Sequence, residues 1–203
     1  MRALLSATTI LSLVGQILAD QLPFRAPSNI TQRLQHSVWP RSYFALGDSF
    51  AAGFGAGKFY RRDDIENKRR KRYEGSYPAI AKSLDVFQSV RESAFKFSAC
   101  SGDYLRDIDR QRADLDKAHV VSLSISGNDF DFVKVIKACI YNTPKFRKRR
   151  DQQCDDALLA SEQKIRNQTI WEKYKAKVVD IMENNMEEDA GTQMSSVLVI
   201  TGI

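Results

Sequence analysis

Four short apolar runs, separated by longer stretches of helical character, constrain the fold of this chain more than any other feature. The runs predict β-strands at residues 42–47, 94–98, 119–126 and 196–201. The stretches between them predict helices near residues 77–84, 104–110, 129–139 and 162–186. This alternation favours parallel strands joined by right-handed crossovers. We therefore predict an α/β sandwich around a central parallel sheet, and the 43% apolar content of the 203 residues is enough to build its core.

The first three predicted strands each end in a motif of small and polar residues. Residues 43–57 read YFALGDSFAAGFGAG, residues 98–103 read SACSGD and residues 124–130 read SISGNDF. Because parallel strands end at the same edge of a sheet, we expect Ser49, Gly102 and Asn128 to lie together on loops there. A serine that follows a strand at a turn, with backbone N–H groups nearby, has the setting that a hydroxyl nucleophile needs.

In this order, the three motifs resemble the first three blocks of the SGNH, or GDSL, hydrolases, a superfamily of serine esterases and lipases, and in particular its fungal-type secreted members. The resemblance implies a three-layer α/β/α sandwich of flavodoxin-like kind, with Ser49 as the catalytic nucleophile. It also implies an oxyanion hole made by the N–H groups of Ser49 and Gly102 and the side-chain amide of Asn128. The implied substrates are small esters, lipids or acylated carbohydrates. The third block departs from the family pattern Gly-x-Asn-Asp at Ser126, which stands where a glycine is expected.

The fourth block of the family, Asp-x-x-His, supplies the base and the carboxylate that orients it. The chain has two histidines, His36 and His119, and only His119 has an aspartate three residues earlier, Asp116. His119 opens a predicted strand, so we expect it at the edge of the sheet opposite to Ser49 and interpret it as a strand-entry histidine. The family pair lies near the C-terminus. We therefore expect the esterase domain, residues 20–203, to lack its last part and the chain as written to have little or no activity.

Two basic runs raise an alternative, in which the chain is a secreted, non-catalytic module that binds an anionic glycan or lipid. Residues 58–72 carry eight basic and three acidic residues, and residues 145–150, KFRKRR, carry five basic ones. Such runs are typical of sites for nucleic acid, anionic surfaces or acidic polysaccharide. We predict that both lie in solvated loops, and because they contain few aromatic residues that could stack on bases, we expect no nucleic-acid partner.

Phosphate-binding and metal-binding patterns are not recognisable in the sequence. Residues 53–57, GFGAG, are not followed by the lysine and hydroxyl residue of a phosphate-binding loop. No set of His, Cys, Asp and Glu residues has the spacing of a metal site. We therefore predict neither a metal nor a cofactor.

The N-terminus predicts secretion. Arg2 precedes an apolar stretch from Ala3 to Leu18, and the small residue Ala19 follows it, so residues 1–19 are predicted to be a signal peptide. The stretch is shorter than the roughly 18 apolar residues that a membrane span needs, and we expect no stable membrane insertion. For a secreted, extracellular monomer, the sequons at Asn29 and Asn167 are candidate glycosylation sites.

Three cysteines in an oxidising compartment leave one without a partner in the chain. Cys139 and Cys154 enclose a short polar segment and are the predicted disulfide pair. The family suggests a partner for Cys100 in the segment after the first block, but residues 67–77 contain no cysteine. Cys100 is therefore either a buried free thiol or the partner of a cysteine in the missing part.

Overall fold

The structure, a computed structural model, describes residues 40–113, 115–141, 147–187 and 196–201. The predicted signal peptide at residues 1–19, the sequon at Asn29 and His36 lie outside the described residues. Within the described part of the chain, no helix is both long and apolar enough to cross a membrane.

Four parallel strands form the central sheet. They are β1 (Tyr43–Gly47), β2 (Phe95–Phe97), β3 (Val120–Ser124) and β4 (Val197–Ile200), in the order β2-β1-β3-β4. Tyr43 pairs with Phe95 on one side and with Val120 on the other, and Val120 pairs with Val197. The chain thus moves outward from β1 in both directions, which is the doubly wound order of flavodoxin-like sheets. The predicted strands are confirmed, each one to three residues shorter than predicted.

Helices connect the strands. In the described residues the α-helices are α1 (Ser49–Ala52), α2 (Ile65–Arg69), α3 (Tyr77–Lys82), α4 (Ile108–Arg112), α5 (Phe132–Cys139), α6 (Arg147–Ile165) and α7 (Gln168–Asn185). Short 3₁₀ turns lie at Asp85–Phe87, Glu92–Ala94 and Leu105–Asp107. The predicted helices near residues 77–84, 104–110 and 129–139 are confirmed.

The prediction of one helix over residues 162–186 is wrong, because that stretch contains the end of α6 and all of α7. Asn167 lies between them with extended backbone, and its side chain accepts a hydrogen bond from the backbone N–H of Thr169 at 2.9 Å. This is the geometry of an N-terminal helix cap, which begins a new helix rather than continuing the old one. The prediction of loops for the two basic runs is also wrong in part, since residues 147–150 begin α6 and α2 lies inside residues 58–72.

The core has two layers, one on each face of the sheet. Phe44 and Leu46 of β1 pack on one face with Leu123 of β3, under Ile108 of α4 and Ile181 of α7. The alternate residues Tyr43 and Ala45 face the other side and pack with Ala51 and Ala52 of α1 and with the aromatic residues of β2. Successive side chains of a strand point to opposite faces, so one buried strand serves both layers. The fold is therefore the predicted three-layer α/β/α sandwich with a central parallel sheet.

His119 lies where the strands begin and is buried there. Its Nδ1 lies 3.0 Å from Ser42 Oγ, and its Nε2 lies 2.9 Å from Glu187 Oε2. The backbone N–H of His119 also donates to Ser42 Oγ at 2.9 Å. We call Ser42, His119 and Glu187 the strand-entry trio. It ties the start of β1 to the start of β3, and it confirms that His119 is a strand-entry residue at the edge opposite to Ser49.

Candidate active site

Ser49 is the first residue of α1, and the turn that carries it is held by Gly47 and Asp48. Gly47 ends β1 at φ 143°, and a Cβ at this position would lie 2.1 Å from the carbonyl oxygen of Ser124. Only glycine permits this approach to β3. The N–H of Asp48 then donates to the same oxygen at 2.9 Å, and Asp48 Oδ1 accepts the N–H of Phe50 at 3.0 Å. The turn thus fixes half-buried Ser49 at the carboxyl end of β1.

The second oxygen of Asp48 connects the first motif to the third. Asp48 Oδ2 accepts the backbone N–H of Gly127 at 3.2 Å, one residue before Asn128. Burial raises the pKa of the Asp48 carboxyl, and its two backbone hydrogen bonds lower that pKa in part. Asp48 therefore sets the position of the loop that carries Asn128 relative to Ser49.

Asn128 is itself held in place by the second motif. Its side chain is buried, and Nδ2 donates to the backbone oxygen of Asp103 at 2.8 Å. A side-chain amide has two N–H donors, so one remains beside this bond for a second acceptor. Asn128 is therefore fixed in orientation while retaining a donor for a ligand.

Ser126 is the residue at which the third motif departs from the family pattern. Its backbone has φ 95°, in the region that favours glycine, and its side chain is completely buried. Its Oγ is a buried atom that has no hydrogen-bond partner in the described part of the chain. The loop thus has a backbone conformation that favours glycine at this position, although a serine occupies it.

Gly102 lies at the open side of the second motif. It has φ 96°, it is exposed, and a Cβ placed on it would meet no atom within 4 Å. The neighbouring Cys100 donates its N–H to the carbonyl oxygen of Gly47 at 3.0 Å, so the loop is joined directly to the end of β1. This geometry leaves room for a ligand next to the backbone of Gly102.

Gln111 of α4 links the first motif to the second, and no sequence pattern indicated this role. Its Oε1 accepts the N–H of Gly47 at 2.8 Å, and its Nε2 donates to the carbonyl oxygen of Gly47 and to Asp103 Oδ2, both at 2.7 Å. Arg110 also donates to both carboxylate oxygens of Asp103, at 2.9 and 2.8 Å. The end of β1 and the Asp103 loop that holds Asn128 are thus linked through one buried amide.

The cysteines and the remaining sequon are also placed. Cys139 and Cys154 form the predicted disulfide, between the end of α5 and a residue inside α6. Cys100 is a half-buried free thiol, and burial raises its pKa, which disfavours the reactive thiolate. Asn167 is exposed at the start of α7.

A cavity of about 330 Å³ lies elsewhere on the protein, beside β2 and residues 58–72. Its lining includes Arg61, Arg72 and Lys96 but none of Ser49, Gly102 and Asn128. The three site residues instead lie on loops at the carboxyl ends of the strands. In the described residues, no group of three or more His, Cys, Asp and Glu side chains is arranged to hold a metal ion.

Comparison with known proteins finds a sequence relative and similar solved structures, two of them with a TM-score above 0.5. No protein-family model matches the chain. A lipase from Streptomyces rimosus is 34% identical over 99 residues, which are 48% of this chain and 34% of that lipase. The structures are phospholipase A1 from Streptomyces albidoflavus NA297, with a TM-score of 0.60, and an extracellular lipase from Streptomyces rimosus, with a TM-score of 0.58. Each is 24% identical to this chain and is aligned over 79% of this chain and 58% of its own length.

This chain therefore spans about a third of the length of its curated relative and less than two thirds of each similar structure. The two structures share its fold, and the lipase is similar to it in sequence over nearly half of the chain. Together with the three motifs at one edge of the sheet, these similarities confirm the resemblance of the chain to the SGNH, or GDSL, hydrolase superfamily.

Proposed function

We propose that this chain carries the nucleophile and the oxyanion hole of an ester hydrolase that acts on carboxylic esters. The observation that carries the proposal is the set of hydrogen bonds that joins the three motifs at one edge of the sheet. Asp48 binds the loop of Asn128, and Gln111 binds both Gly47 and Asp103. A hydrolase needs such a rigid arrangement, because its donors must already point at the position where charge develops.

In the proposed reaction, Ser49 Oγ attacks the ester carbonyl carbon and loses its proton. The carbonyl electron pair moves to oxygen and forms a tetrahedral oxyanion. The N–H groups of Ser49 and Gly102 and the amide of Asn128 stabilise this charge, and each donor contributes roughly 10²–10³ in rate. The carbonyl reforms as the C–O bond to the leaving group breaks, and the alkoxide takes a proton from solvent and departs as the alcohol. Water then attacks the acyl-enzyme, which releases the acid and restores the Ser49 hydroxyl.

Both steps need a proton acceptor, since a protonated serine hydroxyl is a poor nucleophile. His119 is held in the strand-entry trio at the other edge of the sheet, and His36 lies outside the described residues. We therefore propose that the chain as written turns over esters slowly or not at all. Its ceiling is the residual rate that an oxyanion hole gives without a complete triad, about 10³–10⁴ over water.

The substrates that we propose are small esters, lipids or acylated carbohydrates. The names of the relatives, lipase and phospholipase A1, favour the lipid class. We also propose that the protein is a secreted, fungal-type monomer that is glycosylated at Asn29 and Asn167. The extracellular lipase among the similar structures supports the proposed secretion.

The pH dependence of ester hydrolysis tests the proposal. We expect a small rate with p-nitrophenyl butyrate that disappears in Ser49→Ala. Because no described histidine lies near Ser49, this Ser49-dependent rate should depend on hydroxide and rise about tenfold for each pH unit between pH 6 and 9.

A plateau with a midpoint near the ordinary histidine range, about pH 6.5, would show that a histidine of the chain acts as base and would contradict the inactivity. Equal rates for the wild type and Ser49→Ala across the whole range would contradict the nucleophile itself. That result would favour the alternative, a non-catalytic module for an anionic glycan or lipid.

A further inference from the structure

Three exposed phenylalanines surround the candidate site, and we call Phe50, Phe54 and Phe132 the aromatic rim. They are 64%, 60% and 58% exposed. Phe50 follows Ser49 directly, and the N–H of Phe54 donates to the carbonyl oxygen of Ser49 at 2.9 Å. On the other side of the site, the N–H of Phe132 donates to the carbonyl oxygen of Gly127 at 2.9 Å. Large apolar side chains exposed together on a protein surface mark a site of interaction.

The basic segment, residues 58–72, is fixed next to this rim. At its start, the N–H of Tyr60 donates to the carbonyl oxygen of Arg72 at 2.9 Å, and just beyond its end, the N–H of Tyr73 donates to the carbonyl oxygen of Ala52 in α1, also at 2.9 Å. Lys71 Nζ lies 5.8 Å from the centre of the Phe54 ring. The basic segment is therefore held next to α1, the helix that begins with Ser49.

Part of this charge is not neutralised locally. Arg61, Arg69 and Arg70 form ion pairs with glutamates. Four other exposed cations of the segment form no ion pair with a described carboxylate, and these are Lys58, Arg62, Lys68 and Lys71. Lys71 illustrates the arrangement, with an ammonium group above an exposed aromatic ring.

We propose that the aromatic rim and the basic segment together form a docking face for an anionic phospholipid surface. Phenylalanine rings enter the boundary between head groups and acyl chains, while lysine and arginine side chains contact anionic head groups. A nucleic acid or an acidic polysaccharide would use the cations and leave Phe132 and Phe50 in water. The inference rests on the proposed function for its choice of lipid, and it places that lipid surface directly over Ser49.

Sedimentation with lipid vesicles tests the proposal on the whole chain. We expect vesicles of equal parts phosphatidylglycerol and phosphatidylcholine to bind at least about tenfold more tightly than pure phosphatidylcholine vesicles. Phe54→Ala should weaken binding to the anionic vesicles about tenfold, because one aromatic anchor is lost. Lys71→Glu lowers the net charge by two units. Each unit contributes about fivefold to the affinity for an anionic surface, so binding should fall about 25-fold.

Matched controls separate this face from general effects. Leu84→Ala removes another exposed apolar side chain, and Lys173→Glu makes the same change in net charge on α7. Both controls should bind within about twofold of the wild type. All variants keep the same N-terminal residues, so the apolar stretch before Ala19 contributes equally to each.

Two results would overturn the proposal. One is the loss of an expected difference in affinity, either between anionic and neutral vesicles or between the variants Phe54→Ala and Lys71→Glu and their controls. The other is binding to heparin or duplex DNA that is tighter than binding to vesicles and is weakened by Lys71→Glu but not by Phe54→Ala. Ser49→Ala should bind vesicles like the wild type while losing ester hydrolysis, so failure of docking and failure of the proposed chemistry are distinguishable.

Discussion

The two edges of the central sheet each present a serine with polar neighbours, and they differ in what those neighbours can do. At the carboxyl edge, Ser49 lies beside the loops of Gly102 and Asn128, but no described histidine lies there. At the amino edge, Ser42 Oγ lies 3.0 Å from His119 Nδ1 and donates to Glu187 Oε1 at 3.5 Å. The residue types of a serine-histidine-acid triad are thus found at the edge that lacks the family motifs.

This difference shows that residue types alone do not make an active site. Ser42 is buried, and its Oγ accepts the N–H of His119 while also contacting the ring of the same residue. Its hydroxyl is therefore used to hold two strands together. Ser49 instead stands at the start of a helix, where loops at the carboxyl ends of parallel strands leave room for ligands. We infer that the chemistry belongs to the carboxyl edge and the strand-entry trio to the stability of the fold.

The largest effect that distinguishes the two edges is expected from a pair of matched substitutions, Gln111→Leu and His119→Leu. Gln111→Leu leaves the buried N–H of Gly47 without its acceptor, which should lower the free energy of unfolding by about 2–3 kcal/mol. It also removes the link between Gly47 and Asp103, although Arg110 still binds Asp103, so modification of Ser49 by a fluorophosphonate should slow by about ten- to a hundredfold. His119→Leu should cost about 1–2 kcal/mol and leave the rate at Ser49 unchanged.

Urea unfolding and labelling kinetics measure the two effects separately. If His119→Leu slowed labelling as much as Gln111→Leu, reactivity would follow global stability and the proposed division between the edges would be wrong. Labelling must be compared well below the unfolding midpoint of each variant, so that only native protein reacts.

A smaller effect is expected at Ser126, within the carboxyl edge. Ser126→Gly removes a buried hydroxyl that has no partner among the described residues and relieves a backbone at φ 95°. The relief of strain, about 1–3 kcal/mol, exceeds the entropy cost of glycine, about 0.5–1 kcal/mol, so the variant should be more stable by about 1 kcal/mol. Thermal unfolding measures the gain. A loss of stability would mean that Ser126 Oγ has a favourable role that the structure does not account for.

The sequence predicted the parts of this structure that depend on local pattern. Apolar runs bounded by small residues identified the four strands, and the motifs that follow the first three strands predicted that Ser49, Gly102 and Asn128 lie on loops at one edge of the sheet. Short helices such as α1 and α2 have too few turns to show periodicity, and they were missed. The break between α6 and α7 was missed because Asn167 is one polar residue among many, and its capping role depends on backbone geometry.

The features that the sequence did not predict depend on contacts between residues that are far apart in the chain. Gln111 follows the charged residues RDIDR, where its sequence context is that of a surface residue, yet the fold buries it against Gly47. Glu187 reaches His119 because α7 returns the chain to the entry of β3, where the N–H of Glu187 donates to the carbonyl oxygen of Ala118 at 3.1 Å. Neither contact follows from residue spacing, so neither the strand-entry trio nor the support beneath the site could be predicted.

The assignment of the reactive serine to the carboxyl edge is tested by locating the serine that a fluorophosphonate modifies in the folded wild-type chain. Ser42 and Ser49 lie in one tryptic peptide, residues 42–58, so fragment-ion mass spectrometry is needed to assign the adduct. We predict slow modification of Ser49, no modification of Ser42, loss of the label in Ser49→Ala and normal labelling of Ser42→Ala. An adduct on Ser42, or a folded chain that is not labelled at Ser49 after prolonged exposure, would contradict this assignment.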